Sequence, residues 1–187
     1  MSTAQVIVLN GGSSSGKSGI ARCLQAVLPQ AWLAIGVDTL IDVMPARLQL
    51  GSAGIGYDSG GEVTVGAEFR LLEDAWMAGV ATMVRAGARV IVDDVFLGGV
   101  ESRQRWEKAL DGLVVLWVGV RCDAAVAAGR ELARGDRVVG MAEVQAELVH
   151  RGMSYDIEVD SAAAEAVECA KVIAEKVGGR LAGPSED

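Results

Sequence analysis

The chain has 187 residues, 51% of them hydrophobic, and a formal net charge of −8, which excludes global disorder and favours one well-packed domain. The acidic balance, with no Lys/Arg run, excludes a nucleic-acid binder, and no apolar run approaches the ~18 residues needed to span a membrane. Three cysteines, Cys23, Cys122 and Cys169, without any CxxC spacing exclude a disulfide framework and read as small hydrophobes in a reducing cytoplasm.

The N-terminal MSTAQVIVLNGG lacks the charged start of a signal peptide. Its apolar run 5–9 predicts a strand that ends in Gly11, Gly12, Ser13, Ser14, Ser15, Gly16, Lys17 and Ser18, a match to GxxxxGK[ST]. A helix is predicted to follow at 16–28, the context this motif requires. The glycines let successive backbone N–H groups turn inward towards anionic oxygens, and the positive end of the helix faces the same spot. Lys17 reaches the β- and γ-phosphates and Ser18 is a Mg²⁺ ligand, so the loop predicts ATP as phosphoryl donor.

A second strand at 32–37 runs into Asp38. Ligands of open α/β sheets bind at the carboxyl ends of strands, so Asp38 is a candidate general base for an alcohol acceptor. It is equally a candidate N-cap for a helix over 39–49, and spacing leaves both roles open. Residues 50–66 carry six glycines and a DSGG turn, read as an inserted loop or small hairpin near the acceptor. A helix follows over 66–86, with Phe69, Leu72, Trp76, Val80 and Met83 or Val84 on one apolar stripe.

The strand at 89–93 closes on Asp93 and Asp94. Asp93 is placed as the carboxylate behind the magnesium water shell or the substrate hydroxyls, and Asp94 as part of the turn into FLGG. Helix 99–111, strand 113–120 and helix 123–134 continue the alternation. Arg130, Arg134 and Arg137 fall within eight residues; they suit a lid that stabilises the transferring phosphoryl group, or else a solvated helix end. Helix 138–151 ends near His150, the single histidine, read as a surface residue. A last strand at 157–159, with Asp160 and Ser161 as weak candidates for the adenine pocket, and a helix at 162–177 precede a polar tail. Tyr57, Val95, Phe96 and Trp76 are candidates to hold an apolar acceptor.

The alternation predicts an α/β fold on a parallel sheet of five strands. Residues 1–178 form one domain, with 46–66 as the inserted segment, 128–140 as an Arg-rich lid and 179–187 as a flexible tail.

IVLNGGSSSGKS (7–18), GVDTLI (36–41), ARVIVDDVFLGG (88–99), LWVGVRCD (116–123) and ARGDRVVGM (133–141) together resemble the chloramphenicol phosphotransferases of actinomycetes, in order along nearly the whole chain. The resemblance implies a three-layer P-loop kinase fold with helices on both faces of the sheet. It implies an ATP- and Mg²⁺-dependent kinase for the primary hydroxyl of chloramphenicol, Asp38 as catalytic base, and lid arginines at Arg134 and Arg137. Ser15 and Thr39 depart mildly from the family pattern, where Ala and Ser are expected. The alternatives are a P-loop kinase acting on another hydroxylated metabolite or antibiotic, and an ATP-binding regulator without transferase activity.

Overall fold

The computed structural model describes residues 3–49, 53–57, 63–134 and 140–179. Five strands form one parallel sheet: β1 (Val6–Asn10), β2 (Leu33–Gly36), β5 (Val90–Asp94), β6 (Val115–Arg121) and β7 (Ile157–Asp160), in spatial order β2-β5-β1-β6-β7. Between β2 and β5, β3 (Ile55–Tyr57) and β4 (Val63–Val65) make a separate antiparallel hairpin. The inserted Gly-rich segment is therefore a hairpin in its described part.

The three central strands are apolar up to their carboxyl ends because both faces are covered. The period of two sends Ile7, Leu9 and Ile91 to one face, where helices α1 (Lys17–Val27) and α8 (Ala166–Gly179) bring Ile20, Leu24, Ala170 and Ile173. It sends Val6, Val8, Val90 and Val92 to the other. There α4 (Ala67–Arg85) supplies Met77, Val80 and Val84, and α5 (Val100–Ala109) supplies Trp106. The outer strands do not share this double burial: Leu33 of β2 is 48% exposed, and β7 buries only Val159.

Several helix boundaries differ from the sequence expectation for local reasons. The segment expected as one helix over 39–49 is two, α2 (Val37–Asp42) and α3 (Ala46–Gln49), because Pro45 cannot continue a helix. Gly36, not Asp38, is the N-cap of α2, so Asp38 sits inside the first turn. The last helix starts at Ala166 because Asp160 turns the chain first, accepting the N–H of Ala162 at 2.8 Å. On α4 the buried stripe is Phe69, Met77, Val80, Ala81 and Val84; Leu72 and Met83 face outward. Helix α6 (Ala124–Arg134) is capped by Asp123, whose Oδ1 accepts from Ala125 N–H at 2.9 Å. Helix α7 (Met141–Leu148) begins after Gly140, a left-handed residue with φ 95°. Both pack together beyond β6, with Ala127, Ala142 and Cys122 in contact.

His150 is not on the surface: it is 5% exposed, and its Nδ1 lies 2.7 Å from the Tyr155 hydroxyl. That hydroxyl accepts from Asn10 Nδ2 at 2.7 Å, so it donates to a neutral imidazole. Burial, then the positive Arg121, pushes the His150 pKa down to about 4. Tyr155, in the loop before β7, packs edge-on against the His150 ring with the centroids 5.6 Å apart, a contact that local sequence does not reveal.

Candidate functional site

Strands β1, β2 and β5 end side by side, and their carboxyl ends carry the chemistry. After β1 the loop Gly11–Ser18 folds back on itself: Ser15 N–H donates to Gly12 O at 3.3 Å and Lys17 Nζ donates to the same oxygen at 2.8 Å. Gly16 (φ 86°) and Ser14 (φ 57°) are left-handed, the alternation that turns backbone N–H groups into one concave anion site. A Cβ on Gly11 would stand 2.7 Å from Val120 O, so only glycine allows the loop to seat on β6. Helix α1 starts at Lys17 without a side-chain cap, leaving its first N–H groups for an anion.

Asp93 leaves β5 on the side facing this loop. Its Oδ2 accepts from the Ser18 hydroxyl at 2.6 Å, and its Oδ1 stands 3.8 Å from Lys17 Nζ. A hydroxyl and a carboxylate side by side form a hard-oxygen pair that suits Mg²⁺ completed by water and phosphate oxygens. Among the described residues no group of three or more His, Cys, Asp or Glu could hold a metal. A cation there would therefore depend on the nucleotide, as Mg²⁺ usually does.

The next residue goes the other way. Asp94 is buried, accepting from Trp106 Nε1 at 2.6 Å and from Val95 N–H at 2.7 Å. Burial pushes its pKa up to about 6 against the lowering effect of those bonds. It is thus more than a turn residue: it pins α5 to the end of β5.

Gly36 brings β2 against β5 so closely that a Cβ would meet Asp93 O at 2.4 Å. Two residues on, Asp38 enters the same cleft as Asp93 and the loop. That cleft has a volume of about 180 Å³. One end is Ser13–Gly19 with Met141 and Gln145; the other is an apolar chamber of Val37, Ile41, Ile55, Val63, Val65, Phe69, Val95 and Leu97. Arg70, Glu73 and Ser102 stand on the chamber wall.

Of the sequence candidates, Ser13–Ser18, Asp38, Asp93 and Val95 meet in this cleft. Phe96 does not. It is 1% exposed, packed between β1, β5 and α5, with its N–H bonded to Asn10 Oδ1 at 3.0 Å. One step along an extended chain turned Val95 out and Phe96 in. Trp76 packs half-buried against the core and hairpin clusters and is absent from the cleft wall. Tyr57 ends β3, and its side chain lies outside the described residues, as do the Arg134 side chain and all of Arg137. Arg130 stands beside the phosphate loop: its Nη2 donates to Ser161 O at 2.7 Å, and a Cβ on Gly16 would lie 3.6 Å from its Nη1. Ser161 in turn donates to Ser15 O at 2.6 Å, bracing the loop from behind.

Sequence reading missed the neighbours that hold this site. Gln145 Oε1 accepts from Ser13 N–H at 2.8 Å, and a polar residue on the buried Met141–Ala142–Ala146 stripe was the available signal. Glu131, 2% exposed, accepts from Gly140 N–H at 2.7 Å and Ala142 N–H at 2.8 Å; nothing in its local sequence distinguishes it. Arg70 and Glu73 have helical i,i+3 spacing, a signal of pairing but not of a place in the cleft.

Comparison with known proteins agrees with this geometry. The protein named "Putative O-phosphotransferase Rv2636" of Mycobacterium tuberculosis is 31% identical over 190 residues, covering 94% of this chain and 83% of the relative. Among solved structures, a gluconokinase from Sinorhizobium meliloti superposes with a TM-score of 0.65 at 19% identity, covering 96% of this chain and 94% of that one. The APS kinase CysC of Mycobacterium tuberculosis, in complex with AMPPNP and APS, gives 0.62 at 14% identity over 95% and 99%. At such identities the two structures establish the shared fold. The family model described as chloramphenicol phosphotransferase-like protein matches residues 4–178. The chain belongs to the chloramphenicol phosphotransferase-like family and is a kinase-type enzyme, an O-phosphotransferase.

Proposed function

We propose that this enzyme transfers the γ-phosphoryl group of ATP to the primary hydroxyl of chloramphenicol, inactivating the antibiotic in the cytoplasm. The observation that carries the reading is the one cleft that joins Ser13–Ser18, Asp93 and Asp38 to apolar walls that include Phe69, Ile41 and Val95. A phosphate cradle alone serves any nucleotide-binding protein. A carboxylate between cradle and apolar chamber serves an alcohol acceptor.

In this reading the loop N–H groups and Lys17 hold the β- and γ-phosphates, and Ser18 with Asp93 holds Mg²⁺. Bound magnesium supplies neutralisation of the phosphate oxygens. The acceptor oxygen forms a bond to γ-phosphorus as the bond to the ADP oxygen breaks, and the hydroxyl proton passes to Asp38. The Asp38 carboxylate is exposed in the first turn of α2, where Gly36 is the N-cap. Arg134 and Arg137, of the Arg-rich segment 128–140, complete the reading as stabilisers of charge on the transferring group.

Purified enzyme with MgATP and chloramphenicol should release ADP and yield the drug's phosphate ester by mass spectrometry. Asp38→Asn should lower turnover by ~10²-fold or more, the scale of a lost general base, with MgATP affinity retained. ADP release stimulated by a different alcohol and never by chloramphenicol would reassign the acceptor.

A further inference from the structure

We propose that Arg70 orients the acceptor and that Glu73 acts as a positioning residue which cancels its charge, so that the enzyme selects uncharged alcohols over anionic ones. The inference rests on the reading of the chamber as the acceptor site.

Arg70 and Glu73 both stand on the chamber wall, one helical turn apart on α4. Arg70 Nη1 bonds Glu73 Oε2 at 2.7 Å. Arg105, reaching across from α5, places Nη1 on the same carboxylate oxygen and Nη2 on Asp74 Oδ1 at 2.6 Å. Two guanidinium groups and two carboxylates thus form a network of zero net charge. Glu73 is its centre and the best shielded member, its side chain 13% exposed against 42% for Arg70.

An unpaired arginine in such a place is a receptor for carboxylate, sulfate or phosphate, which it binds through two parallel hydrogen bonds. Glu73 occupies that role from within the protein. Among the described residues the remaining carboxylates of the cleft are Asp38 and Asp93, with Asp94 turned to Trp106, while Lys17 is engaged with Gly12 and Asp93. An anionic acceptor would meet carboxylates and, among the described residues of the chamber, no uncompensated cation. A neutral acceptor meets apolar walls and the remaining N–H donors of Arg70, which carries five in all. These suit a carbonyl, nitro or hydroxyl oxygen. Arg105 fixes Glu73 from a second helix, which holds the Arg70 fork at one orientation rather than letting it follow the ligand.

Steady-state rates with MgATP test this on paired acceptors: chloramphenicol against its analogue with a carboxylate in place of the nitro group, and other neutral alcohols against gluconate and shikimate. Wild-type enzyme should prefer the neutral member of the chloramphenicol pair by ~10-fold or more in kcat/KM. Arg70→Met should raise the acceptor KM by ~10-fold, as expected for losing a charged hydrogen-bond donor, and leave the KM for MgATP unchanged. Glu73→Gln should uncover the Arg70 charge and shift preference towards the carboxylate analogue by a similar factor, and Glu73→Asp should restore the neutral preference. If Glu73→Gln fails to fold, Arg70→Met, at a half-buried side chain on the helix surface, still decides. Turnover of another neutral alcohol with chloramphenicol inert removes the proposed substrate and sustains this inference. Turnover of anionic acceptors alone, or an acceptor KM indifferent to Arg70→Met, overturns the inference while phosphotransfer stands. No turnover of any alcohol overturns both.

Discussion

Asp93 and Asp94 are consecutive, yet the pleat of β5 sends them to opposite sides of the sheet, one to Ser18 and Lys17, the other to Trp106. Their substitutions should therefore separate. Asp93→Ala removes the partner of Ser18 and the carboxylate proposed for Mg²⁺; kcat/KM should fall ~10²–10³-fold, the scale of a lost charge-stabilising group, with little change in the urea midpoint. Asp94→Ala leaves the Trp106 and Val95 N–H groups without their acceptor and should cost about 1–3 kcal/mol of stability in urea titrations. The pair was visible in the sequence as V-D-D; which member faced the phosphates was decided by the strands flanking β5.

His150 and Asp94 also predict opposing pH effects on stability. With a folded-state pKa of about 4 against 6.5 for the free imidazole, His150 stays neutral in the native state while the unfolded chain takes up its proton. The stability it contributes is full above pH 6.5 and is lost as the pH falls towards 4. Asp94, at about 6 in the folded state against 3.8, is protonated first in the native state. The cost of burying its charge is full above pH 6 and is relieved as the pH falls towards 3.8. Between pH 7 and 4.5 the two partly offset one another. His150→Gln removes only the first, so its urea midpoint relative to wild type should rise on going from pH 7 to pH 4.5. An unchanged difference between the two proteins would mean that His150 titrates normally.

At the scale of elements, α7 is the piece that ties the nucleotide end together. The Glu131 carboxylate of α6 holds its first N–H groups, Gln145 in its middle accepts from Ser13, and Val149 O just beyond its end accepts from Asn10 Nδ2 at 2.8 Å. A Cβ on Gly12 would press to 3.1 Å from the Gln145 carbonyl carbon, so α7 rests directly on the first arc of the loop. Glu131→Ala leaves two N–H groups unpaired and should destabilise by about 2 kcal/mol or more, read from chemical denaturation, with a weaker affinity for MgATP. Local periodicity located α7, but the contacts that tie it to β1 and the phosphate loop join residues more than 130 apart along the chain. The hairpin β3–β4 is the contrasting case: Gly-rich composition and the DSGG turn pointed to it because its pairing is local.

For the whole molecule, the cleft between the sheet's carboxyl edge and the hairpin makes nucleotide binding a stability term. Saturating MgATP at ~100 times its Kd should add about 2.7 kcal/mol, a rise of roughly 5–10 °C in Tm for a domain of this size. Lys17→Ala should reduce that shift in differential scanning fluorimetry, and addition of EDTA should reduce it if Ser18 and Asp93 hold Mg²⁺. What the sequence by itself determined is everything with a short-range cause. The phosphate loop is dictated by backbone geometry within eight residues, the central strands by continuous apolar runs, and Asp38 by its place after a strand. Tertiary structure alone decided which neighbours complete the site. Phe96 went to the core and Val95 to the cleft, His150 was buried beside Tyr155 and Val120, and Arg70 and Glu73 became a chamber wall. Those outcomes depend on packing between segments far apart in sequence, where burial and charge pairing are set by what lies across the cleft.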